Sequence, residues 1–291
     1  MTKILITGGT GFLGFNLINE IIDQNYLIYI LIRKKSDIKR IKNHKNIFFL
    51  SLEDIELEKL FKKNKFKIVI HLATNYGSSD AQLKNLIDSN LLLPINLLNL
   101  SKIYNVKSFI NIDTILNKNL SNYTLSKSQF NEWLISFSSF LHCINLKISS
   151  IYGPGDSHKK FIPNTIIKLL KSSKKIEFTK GNQKRDLIFI SDVISAISIV
   201  IKYSLNKKCG YDNFEIGSGS QLSIKNLVKL ICKLTNNSNT KLYFGNLISR
   251  NNEQMRTKVK IDKIKKLGWK SKVNIIQGLK KTINFYKSHH S

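Results

Sequence analysis

The sequence predicts an α/β chain: a doubly wound parallel sheet, followed by a smaller, mostly helical C-terminal lobe. Three observations carry this prediction. Short β-type runs alternate with longer helical patterns through the first half of the 291 residues. Those runs are almost continuously apolar, as befits strands covered on both faces. The first run leads at once into Gly8, Gly11 and Gly14, spaced as a turn that opens a helix.

Taken in order, KILIT, YLIYILI, NIFFL, KIVIHLA, SFINID and INLKISS read as strands. Between them FLGFNLINEIID, EKLFKKN, AQLKNLIDSNLLLPINLLNLSKIY and YTLSKSQFNEWLISF read as helices. A sheet of this kind holds its ligand beyond the carboxyl ends of its strands. After YGPGD, Tyr152 to Asp156, the alternation stops. FIPNTIIKLLKSS reads as a helix and IEFT as a short strand. RDLIFISDVISAISIVIKYS and a strand NFEIGSG come next, and from about Leu222 the pattern is mostly helical. The expected division is a dinucleotide-binding domain over residues 1–150, with about 187–217 returning to it. A second lobe takes about 151–186 and 218–291, leaving a cleft over the ligand edge of the sheet.

The composition, 42% hydrophobic and 23% charged, is that of an ordinary soluble globular protein. No apolar run approaches the roughly 18 residues of a membrane helix, and MTKILITGG lacks the apolar core of a signal peptide. Cys143, Cys209 and Cys232 are scattered, with no CxxC, which indicates neither a disulfide framework nor a metal site. A reducing cytoplasm is the expected location, with no membrane partner. The net charge of +28 has two readings. It could serve nucleic acid, or it could be a Lys- and Asn-rich bias spread over solvated helix faces, one that also suits an anionic substrate. Basic residues sit singly or in pairs between apolar ones, as in IKNLVKLICKL, and no nucleic-acid-binding motif is present. The second reading is favoured, and no nucleic-acid partner is expected.

In KILITGGTGFLG the glycines permit a tight turn and close approach of backbone to a pyrophosphate, which the N-terminus of the helix opened by Phe12 and Leu13 stabilises. That marks a Rossmann-type dinucleotide site. The second strand ends ILIRKKSD, so Arg33, Lys34 and Lys35 stand where an NAD-preferring fold places an acid for the ribose 2′-hydroxyl. Cations suit a 2′-phosphate, so the expected cofactor is NADP(H), with Arg33 the better case and Lys34 beside it.

The stretch NIDTILNKNLSNYTLSK holds Thr114, Tyr123 and Lys127. Residues four apart on a helix share a face, so Tyr123 and Lys127 can cooperate if YTLSK is helical from its first residue. A cation beside a phenol lowers its proton affinity toward the range of a useful acid/base. Thr114, just past a strand, can hydrogen-bond the same substrate oxygen.

With these pieces in place the chain resembles the extended short-chain dehydrogenase/reductases, the NAD-dependent epimerase/dehydratase family. The resemblance runs through TGGTGFLG, IHLAT, Asn90, YTLSK, IYGPGD, KFIP, RDLIFISDV, FEIGSG, SRNNE and DKIKKLGWK, nearly the whole chain. It implies Tyr123 as catalytic acid/base, Lys127 as its partner on the nicotinamide ribose, and Thr114 in the family's Ser/Thr place. It also implies that Leu72, Ala73 and Thr74 lie against the cofactor, with Asn90 among the cofactor residues. Arg185 and Arg250 match arginines that clamp substrate phosphates; a salt bridge inside the lobe is the other reading of Arg185. Tyr76 stands either at the sugar pocket or on a surface loop. His71 reads as a packed strand residue and Trp269 as core of the smaller lobe.

Members mostly act on nucleotide-linked sugars, by 4-epimerisation, 4,6-dehydration or 4-keto reduction. Dehydratases follow their Thr with Asp and Glu, whereas Ile115 and Leu116 follow Thr114 here. Asp113 precedes it and points to the opposite side if the strand persists. Epimerases retain NAD and favour an acid after the second strand. The closer resemblance is to nucleotide-sugar 4-ketoreductases of the CDP-abequose synthase kind. The expected function is therefore NADPH-dependent reduction of the C4 ketone of a nucleotide-linked, CDP-linked by that resemblance, 6-deoxy or 3,6-dideoxy sugar for surface polysaccharide. The alternatives are a 4-epimerase with tightly bound NAD, and an NADP-sensing or nucleic-acid-binding protein on the same fold. A homodimer built on the helices at about 85–103 and 123–139 is expected from the family.

Overall fold

The computed structural model describes residues 1–77, 83–249 and 252–290. The chain runs β1 (Thr2–Thr7), α1 (Phe12–Ile21), β2 (Tyr26–Ile32), β3 (Ile47–Ser51), α2 (Leu57–Asn64) and β4 (Ile68–His71). Next come α3 (Leu83–Ile87), α4 (Leu93–Ile103), β5 (Ser108–Thr114), α5 (Asn122–Phe137), β6 (His142–Ile148) and β7 (Ser150–Tyr152). Then follow α6 (Phe161–Leu170), β8 (Lys175–Phe178), β9 (Lys184–Phe189), α7 (Ile190–Ser204) and β10 (Gly210–Ile216). The last elements are β11 (Gln221–Ser223), α8 (Ile224–Leu234), β12 (Lys241–Phe244), α9 (Asp262–Lys265) and α10 (Ile275–His290).

Seven strands form one sheet in the order β10-β6-β5-β4-β1-β2-β3. The pairings β6–β5, β5–β4, β4–β1, β1–β2 and β2–β3 are all parallel, so the chain reverses its direction of travel across the sheet between β1 and β4. This is the doubly wound architecture the sequence predicts, with its ligand edge at that reversal. The apolar runs are buried as strands covered by helices must be. Ile4, Leu5, Ile6, Ile68, Val69, Ile70, Phe109 and Ile110 are all fully buried. Part of the core gathers Leu5, Phe61, Phe66, Val69, Leu97 and Phe109 with Phe130 and Leu134 of α5.

Contacts divide the chain into two compact units. One comprises Met1–Ile148, Ile194–Glu215 and Lys263–Trp269; the other comprises Ser149–Val193, Ile216–Asp262 and Lys270–Ser291. The second carries a three-stranded sheet, β11-β9-β7, and a parallel pair, β12-β8, beside α6, α8 and α10. Among the described residues no helix is long and apolar enough to cross a membrane.

Three details depart from the sequence pattern. The helix expected through AQLKNLIDSNLLLPINLLNLSKIY is interrupted by a π-helical turn, Asp88–Leu92, just before Pro94. Proline has no N–H and its ring crowds the carbonyl four residues back, and a wider turn relieves both. Strand β12 lies in the stretch read as mostly helical; it forms by pairing with β8. Trp269, expected in the core of the smaller lobe, belongs to the first unit, where its indole N–H donates to Ser195 Oγ at 3.0 Å.

Candidate active site

The glycine turn is shaped by backbone contact. Gly8 has φ +69°, and a Cβ added there would stand 2.5 Å from the Ala73 nitrogen. One added at Gly14 would be driven into the Gly8 carbonyl. Gly11 is exposed and caps α1, with no side chain bonded to the helix end and no acid in its first turn. An uncapped helix N-terminus beside bare backbone fits a pyrophosphate. Leu72, Ala73 and Thr74 run past this turn: Leu72 N–H donates to the Thr7 carbonyl at 3.1 Å and Ala73 N–H to Thr7 Oγ1 at 3.3 Å. The residues present fit a dinucleotide.

At the end of β2 Arg33 is exposed and has no ion-pair partner among the described residues. Lys34 differs. Its ammonium pairs with Asp54 at 2.9 Å, and its backbone N–H donates to Glu53 at 3.2 Å. The sequence segment RKKSD contains no acid before Asp37, but the parallel β2–β3 register brings these two carboxylates up from the turn after β3.

The reacting centre lies where β5 ends and α5 begins. Ser121 caps α5 in a reciprocal box with Thr124: Thr124 N–H donates to Ser121 Oγ at 3.3 Å and Ser121 N–H to Thr124 Oγ1 at 3.0 Å. YTLSK is therefore helical from its first residue. Tyr123 is half-buried, and the Thr114 hydroxyl lies close enough to favour its phenolate form. The Tyr76 ring lies 4.9 Å from that of Tyr123, centroid to centroid, so this exposed residue reaches the site. Lys127 is buried and donates from Nζ to the Ile112 carbonyl at 2.7 Å.

The electrostatics correct one expectation. Burial, then Tyr76 and Asp113, push the Tyr123 phenol well above its ordinary range, against a smaller opposing effect of the Thr114 hydroxyl. The lysine beside it engages a backbone carbonyl, and the phenol stays neutral. Burial brings the Lys127 ammonium down to about 8, and Asp113 opposes that fall. His71 is a packed residue: it is fully buried, its Nδ1 sits 2.8 Å from Thr7 Oγ1, and burial holds it well below its ordinary range.

Asn90, in the π-helical turn, is fully enclosed. Its amide donates to the Asn75 carbonyl (2.9 Å) and Ser126 Oγ (3.0 Å) and accepts from Asn75 N–H (2.9 Å). It thus braces the segment carrying Leu72–Tyr76 against α5. In the second unit Arg185 donates to the Gln254 carbonyl at 2.6 Å and to Glu253 at 3.1 Å. That is the salt bridge left open as an alternative. Arg250 lies outside the described residues. Among the described residues no group of three His, Cys, Asp or Glu could hold a metal.

Sequence pattern alone missed Asn75, Ser126, Glu53 and Asp54. Only the first two had a local signal, being polar residues next to motif positions.

The fold recurs in known proteins. The NAD dependent epimerase/dehydratase family matches residues 4–217. The chain belongs to that family. It is 31% identical to the CDP-abequose synthase of Salmonella muenchen, over 97% of each chain. With the CDP-abequose synthase of Yersinia pseudotuberculosis it shares 27% identity over 87% of this chain and 90% of the other. Among solved structures, UDP-glucuronic acid 4-epimerase from Bacillus cereus, in complex with UDP-glucuronic acid and NAD, superposes with a TM-score of 0.87. That match has 22% identity over 99% of this chain and 100% of the other. UDP-glucose 4-epimerase from Thermotoga maritima gives 0.86 at 23% identity, covering both chains fully.

Proposed function

We propose that the chain is an NADPH-dependent reductase of the C4 ketone of a nucleotide-linked, CDP-linked, 6-deoxy or 3,6-dideoxy sugar. The observation that carries this is the Thr114–Tyr123–Lys127 cluster at the ligand edge of the sheet, with Ile115 and Leu116 where a dehydratase has acids. The likeness to two CDP-abequose synthases supports the nucleotide and the sugar class. Gly8, Gly11, Phe12, Leu13 and Gly14 would hold the pyrophosphate, Leu72–Thr74 the adenosine-to-nicotinamide bridge, Arg33 the 2′-phosphate, and Lys127 the nicotinamide ribose. Bound NADPH supplies a hydride to C4.

The chain's own residues then act on the oxygen. Tyr123 enters as a neutral phenol, the protonation state a ketone reduction requires, and donates its proton as negative charge develops on the C4 oxygen. The Thr114 hydroxyl, beside that phenol, orients the same oxygen. The Lys127 ammonium supports the phenolate that forms, and solvent returns a proton to Tyr123 between turnovers. Tyr76 walls the sugar side of Tyr123. Arg185 is the substrate-phosphate residue of the second unit, with Glu253 fixing its guanidinium, and Arg250 is assigned the same task. A homodimer through α4 and α5 is part of the proposal, supported by exposed Leu92, Ile103, Trp133 and Ile135.

The test is incubation with NADPH and a panel of nucleotide-linked 4-keto sugars, with products read by NMR. Reduction of a CDP-linked member, lost by about 100-fold or more in Tyr123→Phe with substrate binding kept, is the expected outcome. One observation favours a second reading, 4-epimerisation with retained NAD: the Glu53 and Asp54 carboxylates, from the turn after β3, reach Lys34 at the end of β2. Protein that purifies with bound NAD and interconverts C4 epimers without consuming NADPH would replace the first reading with the second.

A further inference from the structure

Asp113 lies beside the reacting centre without belonging to it. Along β5, Phe109, Asn111 and Asp113 alternate to one face. That face lies under α5: the Phe130 ring is 6.0 Å from Phe109 and 5.9 Å from His71, which is in register with Asn111. Lys127 stands one turn before Phe130 on the same helix and reaches the carbonyl of Ile112, the residue next to Asp113. The opposite side to which the strand sends Asp113 is thus the side that carries the catalytic lysine.

Its carboxylate is held at both oxygens. Oδ1 accepts the Thr114 N–H at 2.7 Å and Oδ2 accepts Asn145 Nδ2 at 2.8 Å. Asn145 is itself fixed, accepting Asn111 Nδ2 at 2.8 Å across the β5–β6 register. Asn111 and Asn145 are fully buried and Asp113 nearly so. A buried amide network of this cost persists where it holds something in place. Both of these partners donate, so an acceptor-only side chain satisfies them and a side-chain amide would set one N–H against another.

We propose that the Asp113 carboxylate is the buried counter-charge of Lys127, a positioning residue that holds the lysine, Thr114 and Tyr123 in their working states. It acts on all three. Its charge favours the Lys127 ammonium against burial, opposes ionisation of Tyr123, and its Oδ1 fixes the backbone of Thr114. Other titratable groups around it are few. Lys147 on β6, in register with Asp113, is the second cation acting on it, and burial raises the Asp113 carboxyl against both. His71 on β4 stays neutral, and burial raises Tyr211 on β10 and Cys143 on β6 to about 12. Tyr76 faces Tyr123 from the segment after β4.

This inference rests on the roles proposed for Tyr123 and Lys127, and its test reads the lysine directly. In cofactor-free protein labelled with 15N-lysine, the Nζ signal of Lys127, assigned by its loss in Lys127→Met, is titrated with and without Asp113→Asn. The expected midpoint in the variant is lower by about one unit or more, the usual effect of losing a nearby opposite charge. The alkaline limb of the turnover profile moves down with it while KM for the sugar holds. An unchanged midpoint overturns the proposal, whatever the enzyme reduces. Failure of every 4-keto sugar with a shifted midpoint sinks only the assigned reaction. If Asp113→Asn does not fold, the reciprocal measurement decides: the Asp113 carboxyl, read by 13C, must titrate higher in Lys127→Met than in the wild type, since the coupling is mutual. No change there also overturns it.

Discussion

One residue sets the chemistry through the cost of its burial, another through a charge left at the surface. Lys127 titrates near 8 in the fold against 10.5 ordinarily, because burial penalises its charge. The unfolded chain then binds that proton more tightly, so the cost is fully present below pH 8 and is relieved as pH rises from 8 to 10.5. The stability of the wild type minus that of Lys127→Met should therefore rise by roughly 3 kcal/mol across this window, at about 1.4 kcal/mol per unit. Denaturant melts of both proteins at pH 7.5 and 10.5 measure it; a flat difference would mean that the lysine is not desolvated. Taking the difference removes the background of the other lysines, which also lose charge there. Arg33 is the other case. With Lys34 drawn to Asp54, Arg33, exposed and without an ion-pair partner among the described residues, is free to meet a 2′-phosphate. Arg33→Asp should raise KM for NADPH and lower it for NADH, and equal constants before and after would remove Arg33 from the cofactor site.

At the scale of elements, the site depends on where α5 starts. The Ser121–Thr124 box sets that start one residue ahead of Tyr123, so the phenol sits in the first turn and the lysine one turn on. Ser121→Ala should cost about 1 kcal/mol of stability and lower kcat several-fold through a frayed first turn. Ser121→Asp, which also caps, should restore both; rescue of stability without rescue of kcat would show that the cap does not position Tyr123. The Thr–Tyr–Lys cluster was legible in the sequence because its logic is local: a strand end, a short loop and an i, i+4 pair. The glycine turn was legible for the same reason. Asp113, Glu53 and Asp54 were not, because their partners are chosen by register. Asn145 meets Asp113 only through the β5–β6 pairing, and Glu53 meets Lys34 only through the β2–β3 pairing. Strand β12 was missed likewise: KLYF is too short and too basic to announce a strand, and its pairing with β8 makes it one.

At the scale of the whole molecule, the charge of +28 and the proposed dimer pull against each other. Leu92 is 57% exposed, Ile103 53%, Trp133 46% and Ile135 48%, all on or beside α4 and α5. Large apolar side chains exposed on two helices of one unit favour association. Two chains of this charge repel, however, and the repulsion is screened over about 8 Å at physiological ionic strength. Association should therefore strengthen with salt, the reverse of binding to a polyanion, which weakens as counterions return. Sedimentation equilibrium between 0.05 and 0.5 M salt, on the order of one Debye regime to another, reads both. A dimer that tightens with salt, and that loses about tenfold or more in affinity in Trp133→Glu, fits an apolar interface between like-charged partners. A dimer indifferent to Trp133→Glu would place the contact elsewhere. Salt-sensitive binding to a random oligonucleotide in the same buffers would instead make the positive charge a functional surface, and return the nucleic-acid reading of the composition to consideration.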